Sequence, residues 1–330
     1  MHSQKAPLAT LLFLFAALAL HIAPPAQSQP AFPSKPVRLV VPYPAGGSSD
    51  VLARALAHEL TATWKQPVVV ENIGGAGSII GSERVAGAAP DGYTLLFTID
   101  PTVVANRFLY KKLPYDPDKS LAPIAMIARS GQFIVVHPSF PANNLRELVD
   151  IARRAPGKVA YSSYGVGAHP HLLFETIAKR EGLQFLHVPY KGIAPSTAAL
   201  VAGEVQISVG SPAATGAMVK AGRLRAIAIT SAARAGRFPD VQTSTEGGFP
   251  YVKAIIWFGM FAPGGADPKL IDRINHDVTT IARRPDFTEK HLDALSLELV
   301  ANTPAEFAAA IRADVESIGE MIKAAGVQPE

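Results

Sequence analysis

No cysteine occurs among the 330 residues. Disulfides, thiolate metal sites and cysteine nucleophiles are therefore excluded together. Charge is also sparse: 18% of residues are charged against 48% hydrophobic, and 31 Lys and Arg against 27 Asp and Glu leave a formal net charge of +4. So small and scattered a surplus makes no nucleic-acid stripe, and the doublets Arg153-Arg154 and Arg283-Arg284 read as solvated helix faces. These fractions are those of an ordinary globular chain, which excludes disordered, collagen-like and coiled-coil classes. No repeat of 20 to 50 residues recurs, so solenoids are excluded as well. Catalytic signatures are missing too. No G-x-S-x-G turn surrounds Ser48, Ser49, Ser162, Ser163 or Ser211, and His58-Glu59 has Ala62 where a metalloprotease helix needs its second histidine.

What is present begins at the N-terminus. Lys5 precedes an apolar run over residues 8–22, followed by Pro24-Pro25 and the small-residue segment Ala26-Gln27-Ser28. That order predicts a secretory signal peptide over residues 1–28, removed near Ser28. The run is shorter than the ~20 residues of a membrane span. No later apolar run reaches 18 residues, and the expectation is a soluble protein exported to the periplasm, without metal or cofactor.

From residue 37 the chain alternates between strand and helix patterns. Residues 37–41 are a β-branched run ending at Pro42, and 49–64 carry Val51, Leu52, Ala55, Leu56 and Leu60 at helical spacing. A strand over 67–70, a helix over 78–88 and a strand over 93–97 complete βαβαβ, the generator of a parallel sheet. Strands over 124–127 and 133–136 follow, then a helix over 145–154 capped by Asn143 or Asn144. A second alternating series has strands over 159–161, 185–188, 205–209 and 224–229, with helices starting near His171, Pro195 and Pro212. A strand over 254–261 and helices from Pro268, Pro285 and Pro304 close the chain. The predicted fold is α/β: two doubly wound lobes with a cleft between them. With the two crossover strands that the family resemblance described below implies, lobe 1 is assigned residues 29–127 and 250–330 and lobe 2 residues 128–249.

Ligands of open α/β sheets sit beyond the carboxyl ends of the strands, and four loops there carry information. Pro42-Tyr43-Pro44-Ala45-Gly46-Gly47-Ser48-Ser49-Asp50 joins a strand to a helix start, where free N–H groups beside glycines suit an anion. A β-branched residue at Gly47 should abolish binding by forbidding positive φ. Asp50 is read as complementing the helix dipole. Gly74-Gly75-Ala76-Gly77-Ser78 resembles a dinucleotide fingerprint with one residue too many, and supports the alternative of a nucleotide-cofactor oxidoreductase. Ser163-Tyr164-Gly165-Val166-Gly167-Ala168-His169-Pro170-His171 is the second lobe's counterpart of the first loop. Its histidines lack an evident third metal ligand, and His171 reads equally as first-turn packing. Gly210-Ser211-Pro212 ends a strand with a hydroxyl before a helix. Asp100, beside Thr98 and Thr102, is either a turn former before Pro101 or a cleft acid able to pair with an amine.

Several segments together resemble the Bug-type solute-binding receptors of tripartite tricarboxylate transport systems. They are Lys35-Pro36-Val37-Arg38 with the loop after it, Val69-Val70-Glu71-Asn72, Ala89-Pro90-Asp91-Gly92-Tyr93, Leu113-Pro114-Tyr115-Asp116-Pro117, His187-Val188-Pro189-Tyr190-Lys191-Gly192 and Trp257-Phe258-Gly259. The resemblance runs from about Pro33 to the C-terminus. It implies a type II periplasmic binding protein fold, two lobes joined by crossover strands and closing on a small carboxylate, and a non-enzymatic role. The partners implied are membrane permease subunits, with a sensor kinase as the alternative. Carried over by position, Tyr43, Ala45, Gly46, Gly47 and Ser48 form the first half of the site, and Ser163, Gly165, Gly167 and His171 the second. Asp100, Thr102, Tyr164, Ala168 and Ser211 complete the expected ligand-binding set. The family commonly has small hydroxyl residues where Tyr164 and Ala168 stand and often an acid where Gly210 stands. These departures argue against a dicarboxylate or amino-acid ligand, and Tyr164 either lines the pocket, favouring an aromatic or bulkier monocarboxylate, or faces solvent.

Overall fold

The computed structural model describes residues 32–329, and the fold set out below is that of the compact unit that begins at Lys35. The predicted signal peptide lies outside the described residues. Along the chain the elements are β1 (Val37–Val41), α1 (Ser48–Trp64), β2 (Val68–Asn72), α2 (Ile79–Ala86), β3 (Thr94–Ile99), α3 (Asn106–Leu109), β4 (Leu121–Gly131), β5 (Phe133–Val136), α4 (Leu145–Arg154) and β6 (Ala160–Ser163). Then come α5 (His169–Glu181), β7 (Leu186–Pro189), α6 (Ile193–Ala202), β8 (Ile207–Gly210), α7 (Pro212–Lys220), β9 (Arg225–Ile229), β10 (Ile255–Pro263), α8 (Pro268–Ala282), α9 (Pro285–Phe287), β11 (Glu298–Leu299) and α10 (Pro304–Ala324).

Two mixed sheets organise these elements into two α/β lobes. The six-stranded sheet runs β11-β4-β10-β3-β1-β2 and the five-stranded sheet β7-β6-β8-β5-β9. β1 lies parallel between β2 and β3, with Leu39 opposite Val70 and Leu95, as the βαβαβ pattern predicts. Its residues Val37, Leu39, Val40 and Val41 are buried, the apolar run of a strand covered on both faces. β10 is antiparallel to both β3 and β4, and β5 to both β8 and β9.

Sheet one passes into sheet two at Gln132, between β4 and β5, and the chain returns into β10 with Ile255 opposite Gly131. The two crossings therefore lie side by side. Thr230 laces them: its Oγ1 accepts the Gln132 N–H at 2.8 Å and donates to the Ala254 carbonyl at 2.6 Å. Each lobe has its own aromatic core. Trp257, Phe261 and Phe307 pack with ring centroids 5.0 to 6.2 Å apart in the first, and Tyr161 stacks on Phe174 at 4.5 Å in the second.

Helix starts follow the sequence signals. Asn144, not Asn143, caps α4 by accepting the Glu147 N–H, and Thr303 with Glu306 forms a capping box on α10. Four segments differ from the sequence pattern. β4 extends to eleven residues because β10 pairs with it throughout, carrying the polar Arg129 and Ser130 along. α3 and β11 are too short to show a period. The helix predicted from Pro285 is a single turn, which passes into a π-turn over Thr288–Leu292 that spaces the buried Phe287 and Leu292 five residues apart.

Phe307 is fully buried against Trp257 and Phe261, so Phe307→Ala should cost about 3–5 kcal/mol. Equilibrium unfolding in denaturant measures this; a loss under about 1 kcal/mol would mean that α10 is not fixed by its aromatic anchor.

Candidate functional site at the lobe junction

The loops after β1, β3, β6 and β8 carry the residues singled out by sequence. In the first loop, Pro44, Ala45, Gly46 and Gly47 are exposed and Ser48 begins α1. Gly46 has the positive φ, +88°, whereas Gly47 has φ −75° and nothing nearer to an added Cβ than the Pro44 carbonyl at 3.9 Å. The steric expectation at Gly47 is therefore corrected: the left-handed turn is made one residue earlier. Gly47 caps α1 without a side chain, so no side-chain acceptor serves the first-turn N–H groups. Asp50 does more than face the helix dipole. Its Oδ2 accepts the Gly46 N–H at 2.9 Å and Arg54 Nε at 3.1 Å, while Oδ1 accepts from Asn72 at 3.0 Å. Burial opposes its charge, but Arg54, the Gly46 N–H and Asn72 outweigh burial and hold its pKa below the usual carboxylate value. The Gly46 N–H is thus committed within the protein.

Behind this loop sits a hub of hydroxyls. Thr102 Oγ1 lies 3.0 Å from Tyr43 Oη, 2.9 Å from Ser78 Oγ and 2.6 Å from Thr98 Oγ1. Asn106 donates to the Gly77 carbonyl at 2.8 Å. Burial, only partly offset by these hydroxyls, raises the Tyr43 pKa. Sequence reading missed Ser78, Thr98 and Asn106 as parts of this hub; the glycine run before Ser78 was the available signal. Two glycines about this turn serve packing: a Cβ at Gly77 would stand 2.6 Å from Tyr110 Oη, and one at Gly81, three residues past Ser78, would overlap the Ile73 carbonyl.

In the second lobe, Ser163 Oγ lies 2.7 Å from His187 Nε2 and donates to the Gly165 carbonyl at 2.9 Å. His171 Nδ1 accepts the Gly167 N–H at 3.0 Å, and its ring stacks on His187 at 4.2 Å, which stacks in turn on Tyr161. Burial, then the charge of His171, pushes His187 down to about 4. Ser163 and His171 therefore shape the 164–168 loop from behind. Gly165 and Gly167 have φ of +145° and +77°. Ala168 caps α5 without a side-chain acceptor, leaving a second uncapped helix start. Ser211 Oγ is spent on the Ala214 N–H as the cap of α7. Gly210 has no room for an acid, since an added Cβ would stand 2.6 Å from a methyl of Thr215.

The loops of the two lobes meet. His169 Nε2 lies 2.9 Å from Asp100 Oδ2, with side chains 10% and 6% exposed, so Asp100 is a junction acid and not only a turn former. Its Oδ1 is buried with no partner among the described residues. Tyr164 is half-buried, and burial, then the Asp100 charge, raises its pKa. A Cβ at Gly167 would overlap the Leu109 side chain of the other lobe. A separate hollow of about 470 Å³ lies beside the crossing segments, lined by Arg129, Ser130, Gly131, Ser231, Arg234 and Arg237, away from these loops.

The family model described as "Tripartite tricarboxylate transporter family receptor" matches residues 52–327. The chain belongs to that receptor family. It is similar to the protein BugT of Bordetella pertussis, 36% identical over 252 residues, or 76% of this chain and 77% of that one. Among solved structures, the periplasmic binding protein BugD is 33% identical with a TM-score of 0.76, covering 91% of this chain and 100% of BugD. Rpa4515 of R. palustris with adipate is 29% identical, TM-score 0.81, covering 91% and 100%. MatC of Rhodopseudomonas palustris with bound malate is 27% identical, TM-score 0.75, covering 88% and 100%. The Bug-type resemblance and the two-lobed periplasmic binding fold are thus established, and carboxylates occupy two of the family's structures.

Two outcomes test this junction. Gly167→Ala adds a methyl against Leu109 at a positive φ, and should weaken carboxylate binding at least tenfold while each lobe stays folded; titration calorimetry with circular dichroism measures both. His187 has a folded pKa below its unfolded value, so its contribution to stability is present above the unfolded value of about 6.5 and is lost as pH falls toward about 4. Denaturation midpoints between pH 7 and 4 should fall more steeply in the wild type than in His187→Gln.

Proposed function

We propose that this chain is an extracytoplasmic receptor that captures a small carboxylate between its two lobes and delivers it to the membrane permease of a tripartite tricarboxylate-type transporter. The observation that carries the reading is the pair of uncapped helix starts, Gly47 before α1 in one lobe and Ala168 before α5 in the other. Unsatisfied N–H groups and the positive helix end attract a carboxylate from each side. Dipoles without a guanidinium clamp also suit an anion that must be released again to a permease. Tyr43, Ala45, Gly46, Gly47 and Ser48 line the first side; Tyr164, Gly165, Gly167 and Ala168 line the second. Thr102, Ser163 and His171 hold those loops in shape, and Ser211 presents the end of β8.

The lobes divide where the chain crosses, near residues 131 and 254, and close about the segments laced by Thr230. No catalytic step is assigned. The N-terminal segment directs export to the periplasm, where the receptor meets its ligand. Adipate in Rpa4515 and malate in MatC support an acyclic carboxylate. The missing acid at 210 argues for a ligand without an ammonium group.

A thermal-shift panel of mono-, di- and tricarboxylates, aromatic acids, amino acids and neutral sugars tests the reading. A true ligand should stabilise by RT ln(1 + [L]/Kd), about 2.7 kcal/mol at a hundredfold excess over Kd. A shift with sugars and with no carboxylate would overturn it.

A further inference from the structure

The two lobes meet at the junction through a contact between a histidine and a carboxylate. His169 is the first residue of α5, and its Nε2 lies 2.9 Å from Asp100 Oδ2 on the three-residue 3₁₀ turn Asp100–Thr102 of the other lobe. Behind Asp100 stands a second carboxylate of that lobe, Asp314 of α10, whose Oδ2 accepts the Trp257 Nε1–H at 2.8 Å. α10 packs directly on α5. Asp100 Oδ1 has no partner, so among the described residues His169 supplies the one hydrogen bond that this buried carboxylate makes through its side chain.

We propose that His169 is a proton-operated latch: protonated, it ties the second lobe to Asp100 and favours the closed receptor; neutral, it lets the lobes separate. A neutral imidazole can still donate through Nε2, but it loses its attraction to two carboxylates in a dry junction where charges interact strongly. Opening returns His169 to water and to an ordinary imidazole pKa near 6.5.

The direction follows from the groups around it. Burial and the N-terminus of α5 oppose the charge on His169, but Asp100 first, and Asp314 after it, outweigh burial and raise its pKa in the closed form. The other ionisable groups placed against the pair are Tyr43 and Tyr164. Both feel the Asp100 charge, and burial holds both above the usual tyrosine value, so they stay neutral near pH 7. Asp314 is itself raised by burial and by Asp100, and lowered by His169. Closing therefore takes up a proton in the window between the ordinary histidine pKa and the raised one. Closure is favoured at the low end of that window and lost as pH rises through the closed-form value, by at most about tenfold per pH unit for one proton.

The device rests on the two-lobed receptor reading, but its test needs no ligand. Small-angle scattering and tryptophan fluorescence of the ligand-free protein are followed from pH 6 to 8.5, Trp257 being one of two tryptophans and bonded to Asp314. The wild type should shift toward the more extended form as pH rises, while His169→Gln and Asp100→Asn, which keep polar groups but cannot form the ion pair, should show a flat profile. A flat wild-type profile, or an unchanged transition in both variants, would overturn the latch. Should those variants fail to fold, Asp314→Asn decides: it keeps the pair and should move the midpoint to lower pH, and an unmoved midpoint would also overturn it.

Discussion

The lobe junction depends on one hydroxyl. Thr230 Oγ1 takes the N–H of Gln132 on the outgoing crossing and gives its proton to the carbonyl of Ala254 on the returning one. Both bonds are buried, where an unmade backbone hydrogen bond costs about 1–3 kcal/mol. The crossings are thereby held side by side, and the loops of one sheet come to face those of the other. Gly131 adds to the constraint, because any Cβ there would stand about 2.5 Å from the Ser231 nitrogen.

From that constraint the chemistry of the junction follows. Each lobe brings a helix start with no side-chain cap, and each loop is shaped by a buried polar layer behind it: hydroxyls around Thr102 in one lobe, stacked imidazoles around His171 and His187 in the other. These layers use up the polar side chains that a sequence pattern alone would place against the ligand. On the proposed reading, what remains for an anion is backbone. Charge enters the junction through Asp100, His169 and Asp314, and the last of these stands on α10, far along the chain from any glycine loop.

The positions where the resemblance leads one to expect other residues have local surroundings that account for them. Gly210 is small because Thr215 of α7 occupies the space that a longer side chain would take. Ala168 leaves α5 uncapped, which a hydroxyl would have partly satisfied. Tyr164 brings a half-buried ring whose pKa the Asp100 charge raises, where a small hydroxyl residue would leave space.

The sequence by itself determined the βαβαβ start, the second alternating series and the positions of the glycine loops, because each rests on local periodicity or on backbone preferences of a few neighbouring residues. It also determined the family, since ordered segments spread along the chain carry that information jointly. It placed the left-handed turn at Gly47, one residue too late, and it read Asp100 as a turn former or an amine partner. Only the tertiary structure decided that Asp50 closes the first loop onto Gly46, that Thr102 is a hub, and that Asp100 meets His169. The reason is distance along the chain: Asp100 and His169 are 69 residues apart, on different lobes, and no local pattern of either one encodes the crossing that brings them within 2.9 Å.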